Sequence, residues 1–192
     1  MPPATRDRII EASSTLFMQR GYAASGLKQI AAESASTIGS LYHFFPGGKE
    51  ELAAETLRHS GAAYQRLVET VFDAAAPDIV TGVRVCFAGA AETLRATDYA
   101  DACPIATVAL EVASSDEQLR KVTEEIFESW LRSASERLTE AGIGADRARV
   151  LATVLVAALE GGFLLSRASK DTAPMDAIGE VMADLVAAEL RA

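Results

Sequence analysis

Between Thr37 and Lys49 the sequence TIGSLYHFFPGGK sets hydrogen-bonding side chains beside large apolar ones. Ser40, Tyr42 and His43 can donate to an oxyanion, and Lys49 and the upstream Lys28 carry positive charge. Such groups suit phosphate oxygens. No rival chemistry is present. The chain has two histidines and two cysteines. Cys86 and Cys103 stand too far apart for a CxxC pair, and no Cys/His pair has zinc spacing. No nucleophile–base–acid set and no phosphate-binding glycine-rich loop can be assembled. The expectation is a binding protein, not an enzyme, with no cofactor and no metal.

The elements that would position these groups are helical. Ala and Leu dominate a chain that is 49% hydrophobic and 6% aromatic, and no alternating β-branched run is long enough for a sheet. Ile9, Ala12, Leu16 and Phe17 recur at helical spacing after Thr5, which reads as an N-cap, and Gly21 ends that helix. Leu27 to Glu33 makes a second short helix. Ser34-Ala35-Ser36 is a turn, Thr37 caps a third helix over Ile38–Phe44, and Pro46-Gly47-Gly48 breaks the chain. A long helix follows to about Ala75. Further helices are expected over about Asp78–Thr97, Pro104–Ala113, from Ser115 to Gly142, Ala145–Ala168 and Pro174–Arg191. The helix after Ser115 places Leu119, Val122, Ile126, Trp130, Ala134 and Leu138 on one face. Glu117/Lys121 and Glu128/Arg132 form i,i+4 pairs on the other.

Two short helices joined by a three-residue turn suggest a helix-turn-helix over 27–45. Its helices must cross closely, which Ala31 allows. Ile30, Leu41 and Phe44 fill the space beneath the second helix, with Phe45 also assigned to the core. The opposite face is then free to enter a DNA major groove.

The stretch IAAESASTIGSLYHFFPGGKEEL, with Gly21-Tyr22 before it, resembles the N-terminal domain of the TetR family. Gly39, Ser40, Leu41, Tyr42, His43, Phe44, Phe45, Lys49, Glu50 and Leu52 carry the likeness. PGGKEEL together with CPIATVALE at Cys103–Glu111 resembles a narrower branch, the LmrA/YxaF-like regulators, often linked to drug or xenobiotic resistance. Four positions depart from the family pattern. Ala35 stands for a turn glycine, Ser36 for an apolar plug, Ile38 for a basic residue and Gly26 for a capping threonine.

The resemblance implies an all-α chain. Residues 1–48 would be a three-helix DNA-binding domain, and 49–192 a helical domain for effector binding and dimerisation. The DNA candidates are Lys28, Thr37, Ile38, Gly39, Ser40, Tyr42, His43 and Lys49. Gly39 permits close approach to the backbone. Ser40 and His43 donate to phosphate. Tyr42 offers a hydroxyl for phosphate and a ring edge for a thymine methyl, and Lys49 adds charge at a helix N-terminus. The expected partners are double-stranded operator DNA, a small-molecule effector and a second copy of the chain, with repression as the family default.

The dimer would form through the last two helices, about 145–168 and 174–191. Leu151, Val154, Leu155, Ala158, Leu159, Gly162 and Phe163 cover more than one face of a helix, so that helix needs burial on two sides. Gly161-Gly162 would allow close helix approach. Effector candidates are Phe87, Tyr99, Cys103, Phe127, Trp130 and Phe163 as walls, with Glu111 or Glu160 as a polar handle. Cys103 before Pro104 is read as a buried structural thiol ahead of a redox sensor.

The net charge of −9 looks unfavourable for a DNA partner, but it is unevenly spread. Residues 1–59 hold six basic and six acidic side chains, so the whole excess lies beyond them. The start of the chain turns amphipathic at once, which does not read as a signal peptide. Val150–Ser166 is read as a buried helix, not a membrane span. A cytoplasmic protein is expected. The competing reading is a helical protein of the same fold that acts through protein contacts and reads no DNA.

Overall fold

A computed structural model describes residues 4–191. The reading of the first three residues as part of a leaderless start lies outside the described residues, as does Ala192. Among those described there are nine helices and no strand: α1 Thr5–Arg20, α2 Leu27–Glu33, α3 Ile38–Phe44, α4 Gly48–Ala75, α5 Ile79–Ala96, α6 Pro104–Val112, α7 Glu117–Glu140, α8 Ala145–Ser169 and α9 Ala173–Glu189.

Side-chain caps set several helix starts. The Thr37 hydroxyl accepts the Ser40 amide at 3.0 Å and caps α3. Asp78 caps α5 through the Thr81 amide at 3.1 Å, and Asp116 accepts the Leu119 amide at 2.9 Å at the start of α7. Thr5 is not a cap. Ala4 takes that position with extended backbone, and Thr5 is already helical. Ser115 likewise lies outside α7, because Asp116 offers the stronger acceptor.

The chain divides into two compact units. The first comprises the chain as far as Ala63 together with Cys103–Ile126. It holds α1–α3, the start of α4, α6 and the start of α7. Its core is built from Ile9, Phe17, Ile30, Leu41, Phe45, Leu52, Leu57, Ile105, Val108 and Leu119, all fully buried.

The second comprises Tyr64–Ala102 and the chain from Phe127. Its core gathers Val83, Phe87, Leu94, Leu138, Leu151, Met175 and Val186. α9 packs closely here. A Cβ on Gly179 would meet Phe87 at 2.7 Å, and one on Gly162 would meet the Met175 sulfur at 2.7 Å. Gly162 therefore serves a contact within the chain, whereas Gly161 faces open space.

Two expectations about surfaces change. Glu128 pairs with Arg149 of α8 at 2.6 Å, not with Arg132, because a partner on a neighbouring helix lies in reach of the same carboxylate. Glu117 does reach Lys121 at 3.8 Å, but Arg120 is its nearer partner at 2.7 Å. The second concerns α8, read as a buried helix whose second side meets a partner. By length and composition alone it could cross a membrane, yet only 22% of its most apolar 18 residues are buried. One face lies on the core through Leu151, Ala152 and Gly162, while Val150, Val154, Leu164 and Leu165 are exposed.

Candidate nucleic-acid interface

The turn between α2 and α3 follows a Schellman pattern. The Ser36 amide donates to the Ala31 carbonyl at 2.9 Å, and the Ala35 amide to the Ala32 carbonyl at 3.1 Å. This geometry places Ala35 at φ 47, in the left-handed region where glycine is usual. The strain is held by the surroundings. The Ser34 hydroxyl is buried, donates to the Ile30 carbonyl at 2.7 Å and bonds the Ser36 hydroxyl at 2.8 Å. A serine pair thus occupies the place of the usual apolar plug. The Arg8 guanidinium donates to the Ser34 carbonyl at 3.1 Å and ties the turn to α1.

Helical periodicity then sorts α3. Leu41 and Phe45, four residues apart, are fully buried and anchor it. Phe45 also lies under the Arg6 guanidinium at 5.5 Å, and Arg6 pairs with Glu55 of α4 at 2.8 Å. Phe44 is only half-buried, against expectation. The period leaves it on the flank, edge-on to His43 at 5.0 Å between ring centroids.

Thr37, Gly39, Tyr42 and His43 are exposed, with Tyr42 at 50%, while Ile38 and Ser40 are half-buried. Lys28 is exposed on α2, where Gly26 gives the helix no side-chain cap. The hydroxyls of Thr37 and Ser40 lie 2.9 Å apart, so the cap also orients Ser40.

Lys49 is more engaged than its sequence position implies. Its ammonium donates to the Ala23 carbonyl at 3.3 Å and sits 4.3 Å from the centre of the Tyr22 ring. Burial lowers its pKa, and the nearby Glu111 carboxylate opposes that shift. Burial pushes the Tyr22 hydroxyl up, and the carboxylates of Asp116, Glu50 and Glu111 push it further.

The effector candidates fall into separate groups. Phe87 is buried in the core of the second unit, with Tyr99 and Phe163 half-buried against that core. Phe127 and Trp130 are half-buried and meet edge-on at 5.5 Å, with Tyr64 a further edge contact of Trp130 at 6.4 Å. Cys103 and Glu111 belong to the first unit. Cys103 is buried, and its sulfur accepts the Ala106 amide at 3.4 Å, so it caps α6. Burial pushes the other thiol, Cys86, up to about 11.

Glu111 accepts the backbone amides of Tyr22 at 2.9 Å and Ala23 at 2.7 Å. Sequence reasoning missed this role. One sign of it was available: Glu111 is the only charged residue between Asp101 and Asp116.

An all-helical chain that holds a short polar helix outward on an apolar anchor, behind a three-residue turn, is a helix-turn-helix DNA-binding protein. Comparison with known proteins gives the family. Residues 9–56 match the family described as bacterial regulatory proteins, tetR family. Residues 79–181 match the transcriptional regulator LmrA/YxaF-like C-terminal domain. The HTH-type transcriptional regulator YxaF of Bacillus subtilis is 36% identical over 182 residues, covering 95% of each chain. The regulator LmrA of the same organism is 31% identical, over 95% of this chain and 96% of that one.

The fold agrees. A regulatory protein TetR from Rhodobacter sphaeroides superposes with a TM-score of 0.86 at 18% identity, over 94% of this chain and 97% of that one. A TetR transcriptional regulator from Legionella pneumophila gives 0.85 at 19%, over 96% and 99%. The chain belongs to the TetR family of helix-turn-helix transcriptional regulators, in its LmrA/YxaF-like branch. It is a DNA-binding regulator and not an enzyme, and the reading as a fold-alike that reads no DNA gives way.

Proposed function

We propose that this regulator is a repressor that binds a near-palindromic operator as a homodimer and is released by a small apolar effector. Residues 1–48 form the reading part. Residues 49–192 serve effector binding and dimerisation, with α6 packed beside the reader. The observation that carries the reading is the outward face of α3, with Tyr42 and His43 exposed over a buried Leu41 and Phe45. Tyr42 meets base edges and phosphate. His43, Ser40, Lys28 and Lys49 meet phosphate, Thr37 and Ile38 border the groove, and Gly39 allows close approach. Repression is also the printed role of one relative, the transcriptional repressor DhaR of a Mycobacterium strain, 26% identical over 89% of this chain.

The second copy covers α8 and α9, where Val150, Val154, Leu164, Leu165 and Val181 are exposed and Gly161 leaves room for close approach. Two recognition helices would then lie about 34–36 Å apart, one helical turn of DNA. Phe127 and Trp130, half-buried beside Tyr64, are the first candidates to meet an effector, followed by Phe87, Tyr99 and Phe163. An effector acts by preferring a dimer whose reading helices are misaligned. A cytoplasmic location follows from this activity.

The test is selection of duplexes from a random library, followed by titration against salt. The expected result is a two-fold-related consensus bound with steep salt dependence. A protein that enriches no sequence, at any salt, overturns the reading.

A further inference from the structure

We propose that Glu111, on α6, is a positioning residue of the DNA reader: its carboxylate fastens the turn after α1 and thereby sets Lys49. The inference rests on the reading above that Lys49 contacts DNA. Its two oxygens accept the amides of Tyr22 and Ala23 at 2.9 and 2.7 Å. Gly21 makes room for them. A Cβ there would lie 2.0 Å from the Glu111 Oε1, and the backbone φ of 82 also favours glycine.

The same two residues hold Lys49 from their other side. The Ala23 carbonyl accepts its ammonium at 3.3 Å, and the Tyr22 ring lies 4.3 Å from it. Carboxylate, turn and ammonium are thus linked through two consecutive residues. Helix chemistry does not favour a carboxylate here. Glu111 stands in the last turn of α6, where negative charge opposes the helix dipole. The rest of that helix is uncharged, and its buried side chains are Pro104, Ile105, Val108 and Val112.

The experiment is a double-mutant cycle on the full chain, with a duplex selected by the wild-type protein as probe. K49M should weaken binding about tenfold and lower the salt slope by about one. E111A should weaken it by a similar factor and lower the slope in the same direction, with the Tyr22 and Ala23 amides losing exchange protection. E111Q, which keeps a neutral acceptor, should fall between and carries the cycle if E111A does not fold. The double variant should bind about as well as K49M alone, since both changes remove one function. Wild-type affinity and slope in E111Q and E111A, or strictly additive losses, overturn the inference and leave the DNA-reading function standing. A wild-type protein that selects no duplex is a different failure, which overturns both.

Discussion

Tyr42 and Leu110 are the large apolar side chains that the first unit leaves exposed, among the described residues. The second unit leaves Leu67, Val85, Val150, Val154, Leu164, Leu165, Val181 and Leu190. The first unit also closes itself with polar ties: Arg6 to Glu55, Arg8 to Ser34, Ser14 to Ser60 at 2.8 Å, and Glu111 to the turn after α1. The second unit is tied across helices too, by Arg147 to Glu189, Arg84 to Glu180 and Arg95 to Thr172 at 2.6 Å. Its ion pairs, like Arg6 with Glu55, are partly exposed and add little stability in water. The contrast teaches that the reading unit completes its core within one chain, whereas α8 and α9 carry apolar surface that a single chain does not cover. Exposed apolar surface of this kind suits the dimer interface proposed for these helices.

The largest effect should come from placing charge on the uncovered face. The double variant Leu164→Glu/Leu165→Glu should raise the dimer dissociation constant at least 100-fold, about 3 kcal/mol. Analytical ultracentrifugation would then show monomer at micromolar concentration, with helical circular dichroism retained. A dimer that persists would break the comparison. A comparable loss, but in folding, should follow Leu41→Ala. Removing a buried anchor costs about 3 kcal/mol, read by chemical denaturation.

Tyr42→Ala should do the reverse. The side chain is 50% exposed, so stability should hold while affinity for a selected duplex falls about tenfold, or ~1.4 kcal/mol. Equal affinity would remove Tyr42 from the reading face. Ala35→Gly should have the smallest effect, a gain of about 0.5 kcal/mol in thermal unfolding. Relief of the left-handed alanine is partly offset by the added freedom of glycine in the unfolded chain. A loss would mean that the serine-pinned turn tolerates alanine without strain.

Much of the reading unit was legible from local rules. α2 and α3 begin and end where the cap and turn residues put them, and Thr37 caps as its type and place require. The outward set of Thr37, Gly39, Tyr42 and His43 follows from one period of a helix anchored by Leu41. That Phe44 is only half-buried beside a fully buried Phe45 was less legible, since both were assigned to the core. Adjacent residues differ by about 100° around a helix, and Arg6 lies over the ring of Phe45, the covered one.

The sequence by itself determined the helices, the Thr37 cap, the helix-turn-helix motif and the family, because each depends on neighbours within a few residues. Tertiary structure alone decided that Glu111 accepts the amides of Tyr22 and Ala23, since these partners lie 89 and 88 residues away in the sequence. It also decided that Glu128 turns to Arg149, and that α8, apolar enough to be buried on two sides, is covered on only one. Periodicity shows how wide an apolar face is. Which segment covers it depends on packing between parts of the chain distant in sequence, and in this chain one face of α8 is left uncovered.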